Sequence, residues 1–302
     1  MSNPPISSTG TSRTLPGAVS RLRIVVLGYV VCGPLGGLAW HHLQYVMGLA
    51  RLGHDVYFIE DSNDYPSCYD PVRDLTATDP TYGLRFAARA FARVGLGDRW
   101  AYHDAHTARW LGPCADRALD ICATSNLVLN LSGITSLRPW LMGISARVLV
   151  DTDPVFTQIR HCLEPAAWTR PLHYTAFFSF GENTGLPGSS IPQDGFPWQP
   201  TRRPVVLEAW PVTPGPRHGQ LTTVMLWDSY PARDYAGRRY GTKSNSFDAY
   251  LGLPEQAGRI FELALGGATA PRALLTSRGW AVRDSREPTH DPWMYQRLYP
   301  AV

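Results

Sequence analysis

The sequence predicts an α/β protein with parallel sheets in two units, the second of them incomplete. Three observations predict this class. Apolar, β-branched segments alternate with segments of helical periodicity, which is typical of parallel sheets covered by helices. A stretch dense in proline and glycine at residues 184–220 separates two such sets. The chain has 302 residues, enough for two domains of roughly 100–200 residues each.

These observations divide the chain into four parts. A Ser/Thr/Pro/Gly-rich segment at residues 1–20 predicts a disordered tail. Residues 21–183 form the first unit, and the connection at 184–220 follows. The remaining residues, 221–302, are few for a domain of about 100–150 residues, so we expect a partial second unit.

Composition narrows the class of protein. Hydrophobic residues make up 44% of the chain and charged residues 18%, a mixture typical of a folded globular protein. The net charge is only +3 and the basic residues are dispersed, so we expect no nucleic-acid partner. The five cysteines include no CxxC pair, which favours a reducing, cytoplasmic setting.

One charge-free segment, residues 24–40, needs a separate assessment because it resembles a membrane signal. It contains a proline and four glycines and is shorter than the roughly 20 residues of a spanning helix. We therefore interpret it as a buried strand followed by a glycine loop, and we predict no transmembrane segment.

The first unit opens with a complete strand–loop–helix–strand motif. The apolar run at residues 23–31 is typical of a central parallel strand. Helical periodicity covers 38–52, ends at Gly53, and is followed by a second strand at 55–59. Connections of this kind are right-handed and join parallel strands.

The same alternation continues along the rest of the chain. In the first unit it predicts helices at 82–94 and 105–123 and strands at 127–131, 146–150 and 175–179. In the connection and the second unit it predicts strands at 205–207, 221–227 and 280–282 and a helix at 255–265.

Polar residues stand where the predicted strands of the first unit end. Ligands of such sheets bind outside the carboxyl ends of the strands. We therefore expect the loop 32–37 and the residues at these ends to line one cleft; the residues are Ser132, Asp151, Asp153, Glu182 and Asn183.

The loop after the first strand has the features of an anion site. Gly36 and Gly37 stand at the start of a helix, where free backbone N–H groups and the helix dipole favour a diphosphate. A tight turn with no ligand explains the same glycines. A Walker loop is excluded because no lysine is present here. The dinucleotide pattern GxGxxG is only partly met, since Val31 replaces its first glycine, but Glu60 stands where a ribose-binding acid would lie. An NAD(P)-dependent oxidoreductase is therefore an alternative.

The segment GGLAWH, followed by LARLGHDV, resembles the N-terminal domain of GT-B glycosyltransferases that use nucleotide-sugar donors. In that family the pattern GGxxxH precedes a helix and LxxxGHxV. The segments WQPTRRPVVLEAWP and YGTKSNSF with FELALGG resemble a family of bacterial glycosyltransferase-like proteins. The resemblance implies two Rossmann-like domains, a nucleotide-sugar donor, an unidentified acceptor and no separate cofactor.

The resemblance also implies roles for particular residues. Gly36 and Gly37 would approach the donor phosphate, and His41 would take the proton of the acceptor hydroxyl. His42 would line the cleft beside it. The alternative for this pair is that one histidine packs inward and the other is solvated.

A second set of implied donor ligands is basic. Arg238, Arg239 and Lys243, which is the only lysine of the chain, follow the first strand of the second unit. Fixed cations stabilise the diphosphate that leaves when a nucleotide-sugar is cleaved. A solvated basic loop is the alternative interpretation.

Asp151-Thr-Asp153 resembles the metal-binding DxD motif of a different glycosyltransferase fold. The same residues are also typical of a turn that starts a helix. Because the glycine loop belongs to the GT-B pattern, we predict no metal.

The short second unit leaves a further alternative open. No glycine-rich loop or pair of glutamates follows Asp284, although donor recognition in GT-B enzymes depends on such residues. A truncated, non-catalytic homologue or binding protein therefore remains an alternative to an active enzyme.

Overall fold

The structure is a computed structural model, and it describes residues 20–212, 214 and 219–298. The tail predicted for residues 1–20 lies outside these ranges, except for Ser20. The strands are β1 (Arg23–Leu27), β2 (Asp55–Asp61), β3 (Cys68–Asp70), β4 (Leu75–Ala77), β5 (Trp100–Asp104), β6 (Arg109–Leu111), β7 (Leu127–Leu131), β8 (Ala146–Asp151), β9 (Ala176–Ser179), β10 (Gln199–Pro200), β11 (Leu221–Leu226), β12 (Arg233–Tyr235), β13 (Arg238–Tyr240), β14 (Phe261–Gly266) and β15 (Ala281–Asp284). The helices are α1 (Gly36–Arg51), α2 (Thr81–Arg93), α3 (Ala118–Ala123), α4 (Phe156–Leu163), α5 (Pro165–Thr169), α6 (Ser244–Phe247), α7 (Leu253–Ala257), α8 (Arg272–Ser277), α9 (Arg286–Thr289) and α10 (Pro292–Leu298).

The main sheet has eight strands in the order β10-β9-β8-β7-β1-β2-β5-β6. All neighbours are parallel except β5 and β6, which are antiparallel at one edge. The chain begins at the central strand β1, proceeds outward through β2 and β5, and returns to β7 on the other side of β1. This reversal creates a topological switch point, where α/β sheets bind ligands at the carboxyl ends of their strands.

The residues of β1 show why this strand can lie at the centre of the sheet. Ile24 and Val26 are buried in the hydrophobic cluster on the α1 side, and Val25 and Leu27 are buried in the cluster on the opposite face. Because both faces are covered, the strand is apolar at almost every position, as expected of a parallel sheet. The predicted α/β class with parallel strands is confirmed.

The second sheet has three parallel strands in the order β11-β14-β15. Its core contains Trp227, Leu263 and Trp280. Two antiparallel hairpins, β3–β4 and β12–β13, lie outside the two parallel sheets. The division of the chain into two domains at the predicted boundaries stays a prediction.

The last described helix packs on the first sheet's helix α1. The indole Nε1 of Trp40 donates to the carbonyl oxygen of Pro292 at 2.7 Å. Trp293 lies edge-on to Trp40, and the Arg93 guanidinium stands 4.2 Å from a Trp293 ring centroid. Residues from opposite ends of the chain therefore share one core.

Two predicted helices are wrong. The segment 105–123 contains a turn, strand β6 and only the short helix α3, because Gly112 and Pro113 interrupt it and His103 pairs with Trp110 across the β5–β6 ladder. The segment 255–265 contains the end of α7 and then β14, which is the middle strand of the second sheet. Short apolar runs do not distinguish a buried strand from a helix by periodicity.

The strand predicted at 205–207 is also wrong. The amide of Val206 donates to the side-chain oxygen of Gln44 on α1 at 2.6 Å instead of to a neighbouring strand. A short 3-10 turn, Leu207–Ala209, follows. Among the helices of the described ranges, none is long and apolar enough to cross a membrane.

Candidate active site at the junction of the two sheets

The loops at the carboxyl ends of the two sheets meet through the segment that follows β11. The Tyr230 hydroxyl donates to Asp153 Oδ2 at 2.5 Å, and its ring lies edge-on to Phe156 at 4.6 Å. The Arg233 guanidinium donates to Glu164 at 2.9 Å. These contacts place the loop after β11 on the loop and helix after β8.

Tyr29 lies at the same junction, just after β1. Burial raises the pKa of its phenol, and the charge of Asp153 raises it further, while a hydrogen bond with Ser132 and the charge of Arg203 lower it. Ser132 in turn shares a hydrogen bond of 2.6 Å with Thr152. We define Tyr29, Ser132, Asp153, Arg203 and Tyr230 as the polar junction.

Arg203 is an exposed residue whose side chain is held by a hydrogen bond to His41. Its Nε donates to His41 Nδ1 at 3.2 Å. Among the described ion pairs, none joins Arg203 to a carboxylate. A guanidinium that keeps its charge uncompensated is suited to bind a phosphate or carboxylate with its terminal nitrogens.

His41 supports Arg203 from α1. The ring is only 4% exposed, and because Nδ1 accepts from Arg203, the proton must reside on Nε2. Burial lowers the pKa of His41 to about 2, and the neighbouring His42 and Arg203 lower it as well. A ring with so low a pKa is a weak base. The predicted role as proton acceptor stays a prediction, and this environment weighs against it.

Two buried polar atoms near Arg203 have no hydrogen-bond partner among the described residues. They are His41 Nε2 and the Tyr45 hydroxyl, which belong to residues four positions apart on α1 and therefore on one helix face. Burial raises the pKa of Tyr45 to about 12, while the Arg203 charge lowers it. Leaving such donors unpaired is costly, so a ligand or ordered water at this face would stabilise the structure.

The His42 ring is buried and hydrogen-bonded to the backbone on both sides. It is fully buried, with Nδ1 donating to the Leu38 carbonyl at 2.7 Å and Nε2 accepting from the Tyr29 amide at 3.3 Å. Burial lowers its pKa to about 4. Its ring occupies the space where a Cβ on Gly28 would lie, at 2.0 Å. The structure thus gives His42 no surface on a cleft, in contrast to the prediction.

Gly36 and Gly37 lie under the C-terminal segment. A Cβ on Gly36 would stand 2.6 Å from the Tyr295 Cβ and 3.0 Å from the Asp291 carbonyl oxygen. A Cβ on Gly37 would stand 3.3 Å from the Tyr295 ring. The glycines permit this close helix contact, and their predicted phosphate contact stays a prediction.

The two aspartates of the DxD sequence have different environments. Asp151 is buried and accepts hydrogen bonds from the Asp153 amide and from the side chains of Thr157, Gln158 and Ser179. Asp153 instead contacts Tyr230, and partial burial raises the pKa of its carboxyl. The described residues contain no group of three or more potential metal ligands.

The backbone beside Asp153 is strained. Val155, directly before α4, has φ 81° and ψ −58°. This conformation is unfavourable for a β-branched residue. Such strain often marks functional sites, where surrounding structure holds it.

The remaining predicted site residues are not gathered at the junction. Glu182 forms an exposed ion pair with Arg202 at 2.6 Å, and Asn183 is exposed in the adjacent turn. On hairpin β12–β13, Arg239 pairs with Asp234 at 3.5 Å and Arg238 stacks on Tyr240. Lys243 is exposed immediately before α6.

Glu60 holds a backbone loop. It is fully buried, and its two carboxylate oxygens accept from the amides of Val30, Val31 and Cys32 at 2.6–2.8 Å. The carboxylate therefore has no surface for a ribose, and the oxidoreductase hypothesis loses the residue on which it depended. Burial raises the pKa of Glu60 to about 7, against the effect of the three amides.

Sequence reasoning missed Tyr29, Arg203 and Tyr230. Arg203 was visible only as part of the resemblance segment around residues 198–211, and no spacing connects it to His41, 162 positions earlier. Tyr29 and Tyr230 follow the first strands of their sheets, so their positions were the available signal.

No protein-family model and no curated protein sequence matches this chain. Three solved structures of alpha-glucosyltransferases have a similar arrangement, one in complex with UDP and a 13-mer DNA containing a HMU base, one with UDP and a 13-mer DNA containing a central A:G mismatch, and one with UDP. Their sequence identities are 11%, 10% and 10%, and their TM-scores are 0.42, 0.42 and 0.41. The matches cover 85%, 86% and 85% of this chain but only 60%, 59% and 61% of those chains. Similarity at this level does not define what this chain binds.

Proposed function

We propose that the chain is a GT-B-like glycosyltransferase that transfers a sugar from a nucleotide-sugar donor, with the donor diphosphate at the polar junction. The observation that carries the proposal is Arg203, a guanidinium fixed by a neutral histidine and without a carboxylate partner among the described residues. It stands where the carboxyl ends of two parallel sheets meet. Cleavage of a nucleotide-sugar leaves negative charge on the diphosphate, and a preorganised cation stabilises that charge.

The segment after β11 supplies the second part of the donor site in this proposal. It carries Arg238, Arg239 and Lys243, and its contacts with Asp153 and Glu164 hold it against the first sheet. Arg239 is weakened as a ligand by its pair with Asp234. Lys243 is therefore the stronger candidate for a second phosphate contact.

Asp153 is the candidate proton acceptor for the acceptor hydroxyl. Its raised pKa makes it a stronger base than an ordinary aspartate, whereas His41 is a weaker base than an ordinary histidine. The hydrogen bond from Tyr230 orients the carboxylate. This assignment replaces His41 by Asp153 and leaves His41 as the residue that positions Arg203.

In this proposal residues 21–183 form the acceptor-side domain and the second sheet belongs to the donor-side domain. The transfer needs no separate cofactor. A cytoplasmic location would supply the nucleotide-sugar donor. A non-catalytic binding protein is the second candidate. It is favoured by the contact of Tyr295 with Gly36, which covers the glycine loop.

Calorimetric titration with UDP-, GDP- and dTDP-sugars tests the proposal. We expect at least one donor to bind, and we expect Arg203→Ala to weaken it at least tenfold, about 1.4 kcal/mol. Arg202→Ala is the matched control, because Arg202 is adjacent, exposed and paired with Glu182. Absence of heat with every donor, or equal losses in both variants, would contradict the proposal.

A further inference from the structure

A second feature of the first sheet is a cavity of about 400 Å³. It lies at the carboxyl ends of β1 and β2, and its walls are formed mainly by the loops after these strands and by residues 134–135 after β7. It is thus adjacent to the switch point of the sheet, where a ligand is expected on topological grounds. Cavities that bind small molecules measure roughly 300–1,000 Å³, so this one suits a small ligand.

The walls of the cavity are apolar and aromatic. Leu35, Leu38 and Ile134 supply aliphatic surface, and Tyr65 and Tyr69 supply rings. Aromatic side chains pack favourably on the ring faces and edges of a ligand. The surface therefore favours a ligand with one or two rings over an extended polar chain.

The walls carry almost no uncompensated charge. Among the described residues that line the cavity there is no lysine or arginine, and the acidic one is Asp61. Its carboxylate accepts from Arg138 at 2.8 Å and from His103 at 2.7 Å, and these bonds lower its pKa although burial raises it. An anionic ligand would lose its hydration here without gaining a cation, which is unfavourable.

Tyr29 connects the cavity with the polar junction. It contributes to the cavity wall, and its phenol is coupled to Ser132 and to the charge of Asp153. A hydroxyl group at the Tyr29 end of a bound molecule would therefore lie towards the residue proposed as proton acceptor. The cavity and the junction are neighbouring parts of one site.

We infer that the cavity binds the acceptor of the transfer reaction, and that this acceptor is a small, neutral molecule with one or two rings and a hydroxyl group. The inference rests on the proposed function. In the reaction, the acceptor oxygen forms a bond to the anomeric carbon of the sugar. The bond from that carbon to the diphosphate oxygen breaks, the nucleoside diphosphate leaves with the electron pair, and the hydroxyl proton passes to Asp153.

Two probes with the same ring system test the ligand class in the absence of any donor. The whole chain is titrated with 2-naphthol, which is neutral at pH 7, and with 2-naphthalenesulfonate, which is anionic. We expect saturable binding of 2-naphthol at one site and binding of the sulfonate that is at least tenfold weaker. Equal or tighter binding of the sulfonate overturns the inference, as does displacement of 2-naphthol by a DNA oligonucleotide.

A pair of tryptophan variants tests the location. Ile134→Trp adds a large side chain at the cavity wall, at a position that is 41% exposed and therefore tolerant of size. Val72→Trp is the matched control, because Val72 is 80% exposed and outside the cavity lining. We expect Ile134→Trp to weaken 2-naphthol binding at least tenfold and Val72→Trp to leave it within twofold. Equal affinities of the two variants overturn the inference.

Failure of the cavity inference and failure of the proposed function give different experimental outcomes. Donor binding with no 2-naphthol binding overturns the cavity inference alone. Binding of 2-naphthol with no donor binding overturns the glycosyl-transfer proposal, and the acceptor role falls with it. When both bind, formation of a 2-naphthyl glycoside from the donor that binds supports the acceptor role.

Discussion

The pair formed by Arg203 and His41 shows how a buried histidine can serve a site without exchanging protons. Because Nδ1 accepts the Arg203 N–H, the histidine aims the guanidinium and remains neutral. Its position after GGLAW suggested a proton acceptor, since a histidine in water titrates near neutrality. Burial and an adjacent cation reverse that expectation, and neither is visible in a sequence.

The adjacent buried histidines His41 and His42 predict how stability depends on pH. Their folded pKa values, about 2 for His41 and about 4 for His42, lie below the unfolded value near 6.5. Below pH 6.5 the unfolded state therefore binds protons that the folded state does not, and stability falls on acidification. Each histidine removes about 2 kcal/mol between pH 7 and pH 5. Glu60, with a folded pKa of about 7, opposes this loss, because it takes up its proton in the folded state first.

Urea unfolding at pH 7 and pH 5 checks the sign. We expect a net loss of stability at pH 5 in the wild type, and a smaller loss in His42→Gln, whatever its stability at pH 7. His106→Gln is the control, since His106 is exposed and its variant should retain the wild-type pH dependence. A wild type more stable at pH 5 than at pH 7 would refute the assignment.

We expect substitutions of the two aspartates of the DxD sequence to affect different properties, the transfer rate for Asp153 and the thermal stability for Asp151. Asp153→Asn removes the proposed base and should lower the transfer rate by about 10²- to 10⁴-fold, with donor affinity nearly unchanged. Asp151→Asn disturbs a carboxylate with four donors and should lower the melting temperature instead. Steady-state rates and thermal unfolding of both variants separate the two roles, and a fully active Asp153→Asn would exclude the carboxylate as base.

At the scale of elements, helix α1 contacts several distant parts of the molecule. Its first turn contacts α10, its middle carries the two histidines, and Gln44 holds the segment around Val206. The sequence predicted this helix at 38–52, close to the observed Gly36–Arg51. Its contacts could not be predicted, because they join it to residues more than 160 positions away.

Two glycines of α1 provide a matched test of its packing. Gly36→Ala places a Cβ 2.6 Å from the Tyr295 Cβ and should destabilise the chain by about 1–3 kcal/mol. Gly48→Ala meets its nearest neighbour, Val206, at an ordinary 3.6 Å and should stabilise the helix by up to about 1 kcal/mol. Denaturant unfolding compares the two variants. A neutral or stabilising Gly36→Ala would show that α10 does not pack there.

The end of β1 shows why boundaries were harder to predict than elements. The apolar run continues to Val31, but the strand ends at Leu27. Beyond it, the Tyr29 amide is bound by His42 and the amides of residues 30–32 by Glu60, so these groups no longer pair with a strand. The strand ends because side chains replace a neighbouring strand as hydrogen-bond partners of its backbone amides. The hydrophobic pattern of the sequence does not show these partners.

At the scale of the whole molecule, the sequence predicted the α/β class with parallel strands, and the shared cleft at the carboxyl ends of the strands stays a prediction. The strand order, the joining of the second sheet through Tyr230, and the return of α10 to α1 required the structure. Such features depend on contacts between distant parts of the chain. Local periodicity specifies an element and its apolar face, but the whole fold decides which other element packs against that face.

In the proposed function, the donor diphosphate binds where the two sheets meet. A crystal structure of the chain with UDP-glucose, or with whichever donor calorimetry selects, tests it most directly. We expect phosphate oxygens within hydrogen-bonding distance, about 2.7–3.2 Å, of the Arg203 guanidinium, with Asp153 and Tyr230 lining the same site. A nucleotide bound elsewhere on the chain, with Arg203 free of phosphate, would contradict it.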